Sequence, residues 1–325
     1  MFWTVPSRAR PSAVEVWAPA RIEVAAIAAG GGRLDGGVGF AVDAPAVRLV
    51  FQDAERFRCE GAADPDESEL VATEVKEAAT VLGLPDEVEV RVRSMIPAGR
   101  GFGAHGQLRL TIRRALAEIN GRRPAREVPD GSLGAHLFRH GGIVVDGGRR
   151  GSGRDDEENA PPPALFAVRP PEHWRVVLAV PRVPAVPRAA EPYGRIPPTE
   201  QHEVSHTVLT RMLPALADGD LAAFGRALTR LQDLGPTRRH WASAALGGRR
   251  TVLASLTEAG AAGGGLSRTG PALYAVYDAS RVDGADLLAR TRAGCARSGV
   301  DLESLRIAAF AGPARVERPA GPEPP

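Results

Sequence analysis

Hydrophobic and polar residues alternate along several short segments of the chain, a pattern that predicts strands with one buried face. In the first half these segments are 14–17, 21–24, 46–51 and 88–93. Between 66 and 82 the apolar residues recur at helical spacing instead, and Gly83 followed by Pro85 predicts the end of that helix. A second helix is expected to follow the glycine-rich segment 99–106 and to end near Asn120.

The second half has the same mixture of patterns. An apolar run at 174–180 predicts a strand ended by Pro181. The remaining expected elements are helices at about 200–217, 219–234, 249–260 and 284–298 and strands at 273–277 and 304–310. The polar, proline-rich segment 149–163 is typical of a loop or linker. With 325 residues, we expect two domains, 1–165 and 166–312, followed by a disordered tail over 313–325.

Composition and charge exclude several classes of protein. The 41 basic and 39 acidic residues are interspersed and leave a net charge of +2, so no basic arm points to nucleic acid. No apolar run is long enough for a leader peptide or a membrane span, and we expect a cytoplasmic protein without a membrane partner. The two cysteines, Cys59 and Cys295, have neither zinc-ligand nor disulfide-scaffold spacing.

Three glycine-rich segments are the main candidate ligand loops. They are 30–39, 99–106 and 263–270. The middle segment lies between an expected strand and an expected helix, where backbone N–H groups and the helix dipole favour an anion such as phosphate. No Walker A motif occurs, which excludes a P-loop enzyme. Gly101 to Gly106 fits G-x-G-x-x-G, but no acidic residue follows about 20 positions later, which disfavours a Rossmann site.

Several motifs together carry a family resemblance. The segment from Pro97 to Gln107 resembles the P-x3-G-L-G-x-x-x-Q loop of the GHMP kinase superfamily. The segments 19–22, 32–41, 138–148, 212–232 and 264–274 resemble, in order, motifs of its β-ribofuranosylaminobenzene 5′-phosphate synthase branch. The most specific of them are the R-x-D-G-G pattern at Arg33 and the V-D-G-G pattern at Asp146, and the resemblance spans about 19–278.

The resemblance implies an α+β, two-domain GHMP-kinase-like fold with a ribosomal S5-like N-terminal domain and a ferredoxin-like C-terminal domain. It further implies a transferase that uses phosphoribosyl pyrophosphate (PRPP) with Mg²⁺ and joins the ribosyl anomeric carbon to an aromatic carboxylate with loss of CO2. The implied roles are catalysis by Asp35, Arg33 and Asp146; PRPP binding by Arg21, Gly36, Gly37, Gly99, Arg100, Gly101, Gly103, His105, Gly106, Gln107, Gly265, Ser267 and Thr269; acceptor binding by Glu23, His140 and Arg268; and metal binding by Asp35 and Asp146.

Departures from the family pattern bear on the choice of substrate. Ala104 and His105 stand where kinase relatives have Ser or Thr, which disfavours ATP as the substrate. Glu23 and Arg268 replace a histidine and a serine of the synthase pattern, so we expect a different acceptor, such as the pyrazole carboxylate of a C-nucleoside antibiotic pathway. An ATP-dependent small-molecule kinase and an inactive binding protein stay open as alternatives.

Each candidate residue also has a structural explanation. Asp35 and Asp146 could cap turns, His105 could cap a helix, and surface arginines commonly form ion pairs. The histidines and glutamates of 200–206 are better explained as a solvated helix face than as a metal site. The sequence leaves open whether the protein is a monomer or a homodimer.

Overall fold

A computed structural model of the chain describes residues 11–27, 33–34, 36–122, 132–150, 162–182, 198–241, 248–267 and 270–318. The strands are β1 Ala13–Ile27, β2 Arg33–Leu34, β3 Gly36–Asp53, β4 Arg58–Glu60, β5 Val88–Ser94, β6 Ile143–Asp146, β7 Arg149–Arg150, β8 Ala164–Val168, β9 Trp174–Pro181, β10 Gly263–Leu266, β11 Leu273–Asp278, β12 Leu302–Ala309 and β13 Arg315–Glu317. The helices are α1 Pro65–Leu82, α2 Ala104–Ile119, α3 Ser132–His140, α4 Pro198–Thr207, α5 Leu213–Ala217, α6 Leu221–Gln232, α7 Gly235–Trp241, α8 Arg249–Glu258 and α9 Gly284–Arg297.

The first sheet is built around two long antiparallel strands, β1 and β3. Strands β13, β5 and β4 extend it in the order β13-β1-β3-β5-β4, and β6 pairs with the other part of β3 and carries β8 at its edge. Helices α1, α2 and α3 pack on this sheet and contribute apolar side chains to its core. The expected strand at 88–93 is confirmed as β5, which pairs antiparallel with β3.

The second sheet has four antiparallel strands in the order β10-β11-β9-β12. Because side chains alternate across a strand, β9 contributes to two cores. Val176 and Leu178 join the large core that includes the first sheet and α6, whereas Val177 and Ala179 face the smaller core under α8 and α9. This arrangement agrees with the α+β fold that the resemblance implies.

The expected helix at about 200–217 is confirmed, with one difference. A π-helical turn, Val208–Met212, interrupts it between α4 and α5. Val208 and Met212 are buried and pack in the large core, whereas Leu209 on the same turn is exposed. None of the helices in the described ranges is long and apolar enough to cross a bilayer.

Two expectations about chain organisation differ from the structure. The tail does not start as a disordered segment, because Arg315–Glu317 forms β13 and pairs antiparallel with Glu15–Trp17 of β1. The guanidinium of Arg315 also lies 4.4 Å from the centre of the Trp17 ring, which fixes this last strand on the sheet. The expected domain boundary at 165 falls within β8, which pairs with β6 of the first sheet. Residues 319–325 lie outside the described ranges.

Candidate functional site

The glycine segment before α2 has a backbone that suits anion binding. Gly99, Gly101 and Gly103 have φ angles of 69°, 92° and 74°, a region that residues with a Cβ seldom adopt. Gly103 is the N-cap of α2 and provides no side-chain hydrogen bond, whereas Asp64 caps α1 by accepting from the Glu67 N–H. The N–H groups of the first turn of α2 are therefore left for a ligand, and the helix dipole there favours an anion.

The glycine segment at 263–270 meets this loop directly. Ser267 Oγ donates to the Gly101 carbonyl oxygen at 2.6 Å, and the Ala272 N–H donates to the Arg100 carbonyl oxygen at 3.1 Å. A Cβ placed on Gly270 would lie 2.3 Å from Gly101 Cα, so only glycine allows the two backbones to approach this closely. The two segments therefore lie against each other, and Ser267 is the residue that joins them. Arg268 and Thr269 lie outside the described residues.

A buried polar group from β1 lies beside the loop. The Arg21 N–H donates to the Phe102 carbonyl oxygen at 3.0 Å, and Arg21 Nη1 is 3.7 Å from Glu23 Oε2. The Glu23 N–H donates to Ser267 Oγ at 3.4 Å. The side chains of Arg21 and Glu23 are 19% and 8% exposed, so β1 brings both charges to the loop in a largely desolvated setting.

Gln107, on the first turns of α2, has an unsatisfied acceptor. Its Nε2 donates to the Gly134 carbonyl oxygen at 3.2 Å, and the residue is 1% exposed. Its Oε1 is buried and has no hydrogen-bond partner in the described part of the chain. A buried acceptor without a partner costs about 1–3 kcal/mol, so a donor supplied by a ligand would relieve that cost. Phosphate oxygens are acceptors, so this donor would be a hydroxyl or N–H group.

His105 is held by a contact that the sequence does not reveal. Its Nε2 lies 2.8 Å from Arg109 Nη2 and 3.2 Å from Oε1 of Glu74, a carboxylate on α1 whose side chain is 3% exposed. The His105 ring is therefore held against both Arg109 and the buried Glu74 carboxylate, at the start of α2 and beside the loop. In the sequence, the one feature that could have indicated this role of Glu74 is its position on the apolar face of α1.

A second group of predicted residues surrounds the turn after β6. Asp146 is fully buried and its Oδ1 accepts from the Gly148 N–H at 2.8 Å, while Arg33 Nη1 donates to the Gly148 carbonyl oxygen at 2.8 Å. Gly37 is the register partner of Asp146, and a Cβ on Gly36 would lie 2.9 Å from the Asp146 carbonyl oxygen. The structure thus brings Arg33, Gly36, Gly37 and Asp146 together, and Asp35 lies outside the described residues.

Comparison with known proteins identifies the family. A β-ribofuranosylphenol 5′-phosphate synthase of Archaeoglobus fulgidus is 31% identical over 237 residues, which are 67% of this chain and 74% of the relative. The chain belongs to this synthase family. The synthase of the same name from Methanothermobacter thermautotrophicus is 29% identical over 290 residues, 80% of this chain and 87% of the relative. No family model matches the chain.

Solved structures confirm the GHMP-kinase-like fold. Homoserine kinase from Cytophaga hutchinsonii covers 97% of this chain and 100% of its own length with a TM-score of 0.65 and 16% identity. Mevalonate kinase from L. major covers 94% of this chain and 99% of its own length with a TM-score of 0.59 and 11% identity. At these identities the likeness concerns the fold alone.

Three residues that the synthase motifs assign to ligands have other described contacts. Arg100 Nη2 lies 2.6 Å from Glu303 Oε2 of β12. Gly265 faces Gln232, since a Cβ there would lie 2.1 Å from Gln232 Cδ, so close packing explains this glycine. His140, at the end of α3, stacks on His136 with ring centroids 5.9 Å apart. Burial, with the neighbouring positive groups, lowers the pKa of His140 below its usual value.

Gly99 and Gly106 complete the predicted set. Gly99 belongs to the loop, and a Cβ on Gly106 would meet no atom within 4 Å, so this position in the first turn of α2 has open space beside it. Space beside free helix N–H groups is what a bound anion requires.

Gln232 is part of the synthase motif at 212–232, which assigns it no role, and the structure shows it as a positioning residue. Its Oε1 accepts from the Leu266 N–H at 2.8 Å and from the Trp241 indole N–H at 3.3 Å, and the residue is 3% exposed. Leu266 is the last residue of β10 and precedes Ser267. The amide of Gln232 on α6 therefore fixes the strand that delivers Ser267 to the anion loop.

The described carboxylates could hold Mg²⁺ only together with oxygen atoms of the substrate. Across the described ranges no three His, Cys, Asp or Glu side chains converge as a metal cluster. Proteins, however, commonly bind Mg²⁺ through one or two carboxylates together with substrate phosphates. Asp146 beside Gly36 and Gly37 is compatible with that sparser kind of site.

Proposed function

We propose that this chain transfers the phosphoribosyl group of PRPP to a ring carbon of an aromatic or heteroaromatic carboxylate. The bond from the anomeric carbon to diphosphate breaks and the diphosphate leaves with its electron pair. The ring carbon that bears the carboxylate forms the new carbon–carbon bond, and the bond to CO2 breaks and returns its electron pair to the ring. Membership of the synthase family, at 31% identity over 237 residues, is the observation that carries this proposal.

The anion loop supports a role in binding the diphosphate. Gly101 and Gly103 place backbone N–H groups and the N-terminus of α2 at one point. Arg21 adds a positive side chain, and its backbone N–H donates a hydrogen bond to the Phe102 carbonyl oxygen of the loop. Preorganised donors at a leaving group stabilise the charge that develops in the transition state. Ala104 and His105 follow the loop, so no Ser or Thr hydroxyl is present at these two positions to serve an ATP phosphate.

An unpaired hydrogen-bond acceptor near Arg21 supports binding of the sugar. Gln107 Oε1 is buried and needs a hydrogen-bond donor. The hydroxyl groups of ribose can donate to it, whereas phosphate oxygens only accept. The loop and Gln107 would then divide PRPP binding into a phosphate end and a hydroxyl end.

Positioning is the other requirement of this reaction. A ring carbon is a weak nucleophile, so it must be held about 3–3.5 Å from the anomeric carbon in the correct direction. Gln232 contributes by fixing β10 and Ser267, and Ser267 contributes by fixing the Gly101 carbonyl. Mg²⁺, which we propose enters with the diphosphate and takes Asp35 and Asp146 as its protein carboxylates, would neutralise charge on the leaving group.

We further propose that the acceptor differs from a phenol. Glu23 and Arg268 depart from the synthase pattern, and Glu23 lies beside Arg21 at the loop. A heteroaromatic carboxylate such as a pyrazole carboxylate, used to make a C-nucleoside antibiotic, is the acceptor class we favour. His140 is the third residue that the resemblance assigns to the acceptor.

Two measurements test the proposed function. In a thermal-shift comparison, PRPP with Mg²⁺ should raise the melting temperature and ATP with Mg²⁺ should not, since a ligand at 100 times its Kd stabilises by about 2.7 kcal/mol. A shift with ATP alone would support the kinase alternative and contradict the proposal.

The second measurement follows CO2 release from hydroxybenzoate, aminobenzoate and pyrazole carboxylates with and without PRPP. CO2 and diphosphate should appear in equal amounts, and only when PRPP is present, because a free aryl carbanion would be quenched by water. CO2 release at the same rate without PRPP would identify a simple decarboxylase and refute the transfer reaction.

A further inference from the structure

A groove lies on the helical side of the second sheet, away from the candidate site. It is bounded by the π-helical turn Val208–Met212, α5 and α6, and it has a volume of about 380 Å³. No residue that the sequence or the structure assigns to the candidate site lines it. A volume of this size is within the range of small-molecule sites.

Three arginines give this groove its chemistry. Arg211 comes from the π-helical turn, and Arg226 and Arg230 come from successive turns of α6. All three side chains are exposed, and within the described ranges none of them has an ion pair or a hydrogen bond. Arginines elsewhere in the chain do have partners, as Arg100 has Glu303 and Arg109 has Glu74.

The positive charges are poorly compensated from within the groove. Arg226 and Arg230 are four residues apart on one helix face, where like charges repel and destabilise the helix. Asp218 and Asp220 also line the groove. Asp220, however, is engaged as the N-cap of α6, where its Oδ1 accepts from the Ala223 N–H at 2.9 Å. The three arginines and two carboxylates give the groove a net positive charge, which a bound anion would neutralise.

The backbone at the groove adds a second observation. A π-helical turn is less stable than the α-helix around it, and such turns are frequent at functional sites. Here it starts after Thr207 and places Thr210 and Arg211 at the groove while Val208 and Met212 stay in the core. The turn therefore orients Arg211 toward the same space as the two arginines of α6.

We propose that this groove binds a phosphate or diphosphate group of a small molecule. Arginine forms strong, directional hydrogen bonds with phosphate oxygens, and three of them around one concave site suit a compact anion. Asp218 and Asp220 at the same groove disfavour an extended polyanion such as nucleic acid. The site is separate from the anion loop, and the proposal does not depend on the reaction that the loop serves.

Amide hydrogen exchange of the full-length protein with inorganic pyrophosphate as the probe tests this site and locates it. Pyrophosphate should slow exchange over 208–232, and sodium chloride at equal ionic strength should not. The double substitution Arg226→Gln with Arg230→Gln should raise the pyrophosphate concentration needed for half-maximal protection at least about tenfold. This is the effect of losing one or more charge-assisted hydrogen bonds. Any protection over 99–107 should be unchanged.

The matched control is Arg281→Gln with Arg306→Gln, which removes the same charge from exposed positions outside the groove. It should retain the protection over 208–232. Three results would overturn the proposal: no protection there in the natural protein, equal protection by sodium chloride, or equal protection after substitution of Arg226 and Arg230. Because both substituted side chains are exposed, the variants should fold, and unchanged exchange without pyrophosphate checks this.

Discussion

Replacing Gly103 with alanine separates the conformational role of the loop from its role in binding. Gly103 has a φ of 74°, and a Cβ there would lie 2.9 Å from Arg21 Nε and 3.1 Å from Arg21 Cβ. Gly83, the C-cap of α1, provides the matched control. Its φ is 59°, and a Cβ on it would meet no atom within 4 Å.

The two substitutions should have a similar cost in stability and different effects on the ligand. An L-residue in the left-handed region costs about 1–2 kcal/mol, so both Gly103→Ala and Gly83→Ala should lower the free energy of unfolding by about that amount. Only Gly103→Ala displaces the Arg21 side chain from the loop. Loss of one hydrogen bond to a charged group is worth about 1.5–3 kcal/mol, which is about a tenfold to hundredfold increase in the Kd for PRPP.

Urea unfolding of both variants and calorimetric titration with PRPP and Mg²⁺ provide the measurements. We expect matched losses of stability and a weakened Kd in Gly103→Ala alone. An unchanged PRPP Kd in folded Gly103→Ala would refute the assignment of the loop. An equal loss of affinity in Gly83→Ala would show that general destabilisation, and not Arg21, accounts for the effect.

Three further predictions concern other parts of the chain. Gln232→Leu leaves the Leu266 and Trp241 N–H groups unpaired, so urea unfolding should show a loss of about 2–5 kcal/mol, and a loss below about 1 kcal/mol would contradict the network. Burial lowers the pKa of His140 in the folded state, so the unfolded chain binds that proton more readily and the stability falls as the pH drops below about 6.5. The substitution His140→Gln should lessen this loss of stability between pH 7.5 and 5.5. An identical pH dependence in the variant would count against a role of His140. Asp35→Asn should lower turnover about 100-fold or more without loss of stability, while near-normal turnover would remove Asp35 from the site.

Local patterns in the sequence determined much of the fold. The perfect alternation at 88–93 corresponds to β5, and the apolar run before Pro181 corresponds to β9, because side-chain periodicity is a property of a few consecutive residues. The glycines at 99–103 indicated an anion loop for the same reason, since their left-handed φ angles are a local requirement. The family motifs extended this to the meeting of Arg33, Gly37 and Asp146 at one turn.

Only the tertiary structure decided which partners these residues have. Gly265 is in a glycine-rich segment as a ligand loop would be, yet it packs against Gln232. Arg100 is in the anion loop, yet it pairs with Glu303 about 200 positions later. In each case the deciding contact joins residues far apart in the chain, and such contacts depend on how strands and helices pack rather than on any repeat in the local sequence. The same reason explains β13. This segment is short and polar and shows no clear strand pattern in the sequence, and it forms a strand because β1 offers an open edge to pair with.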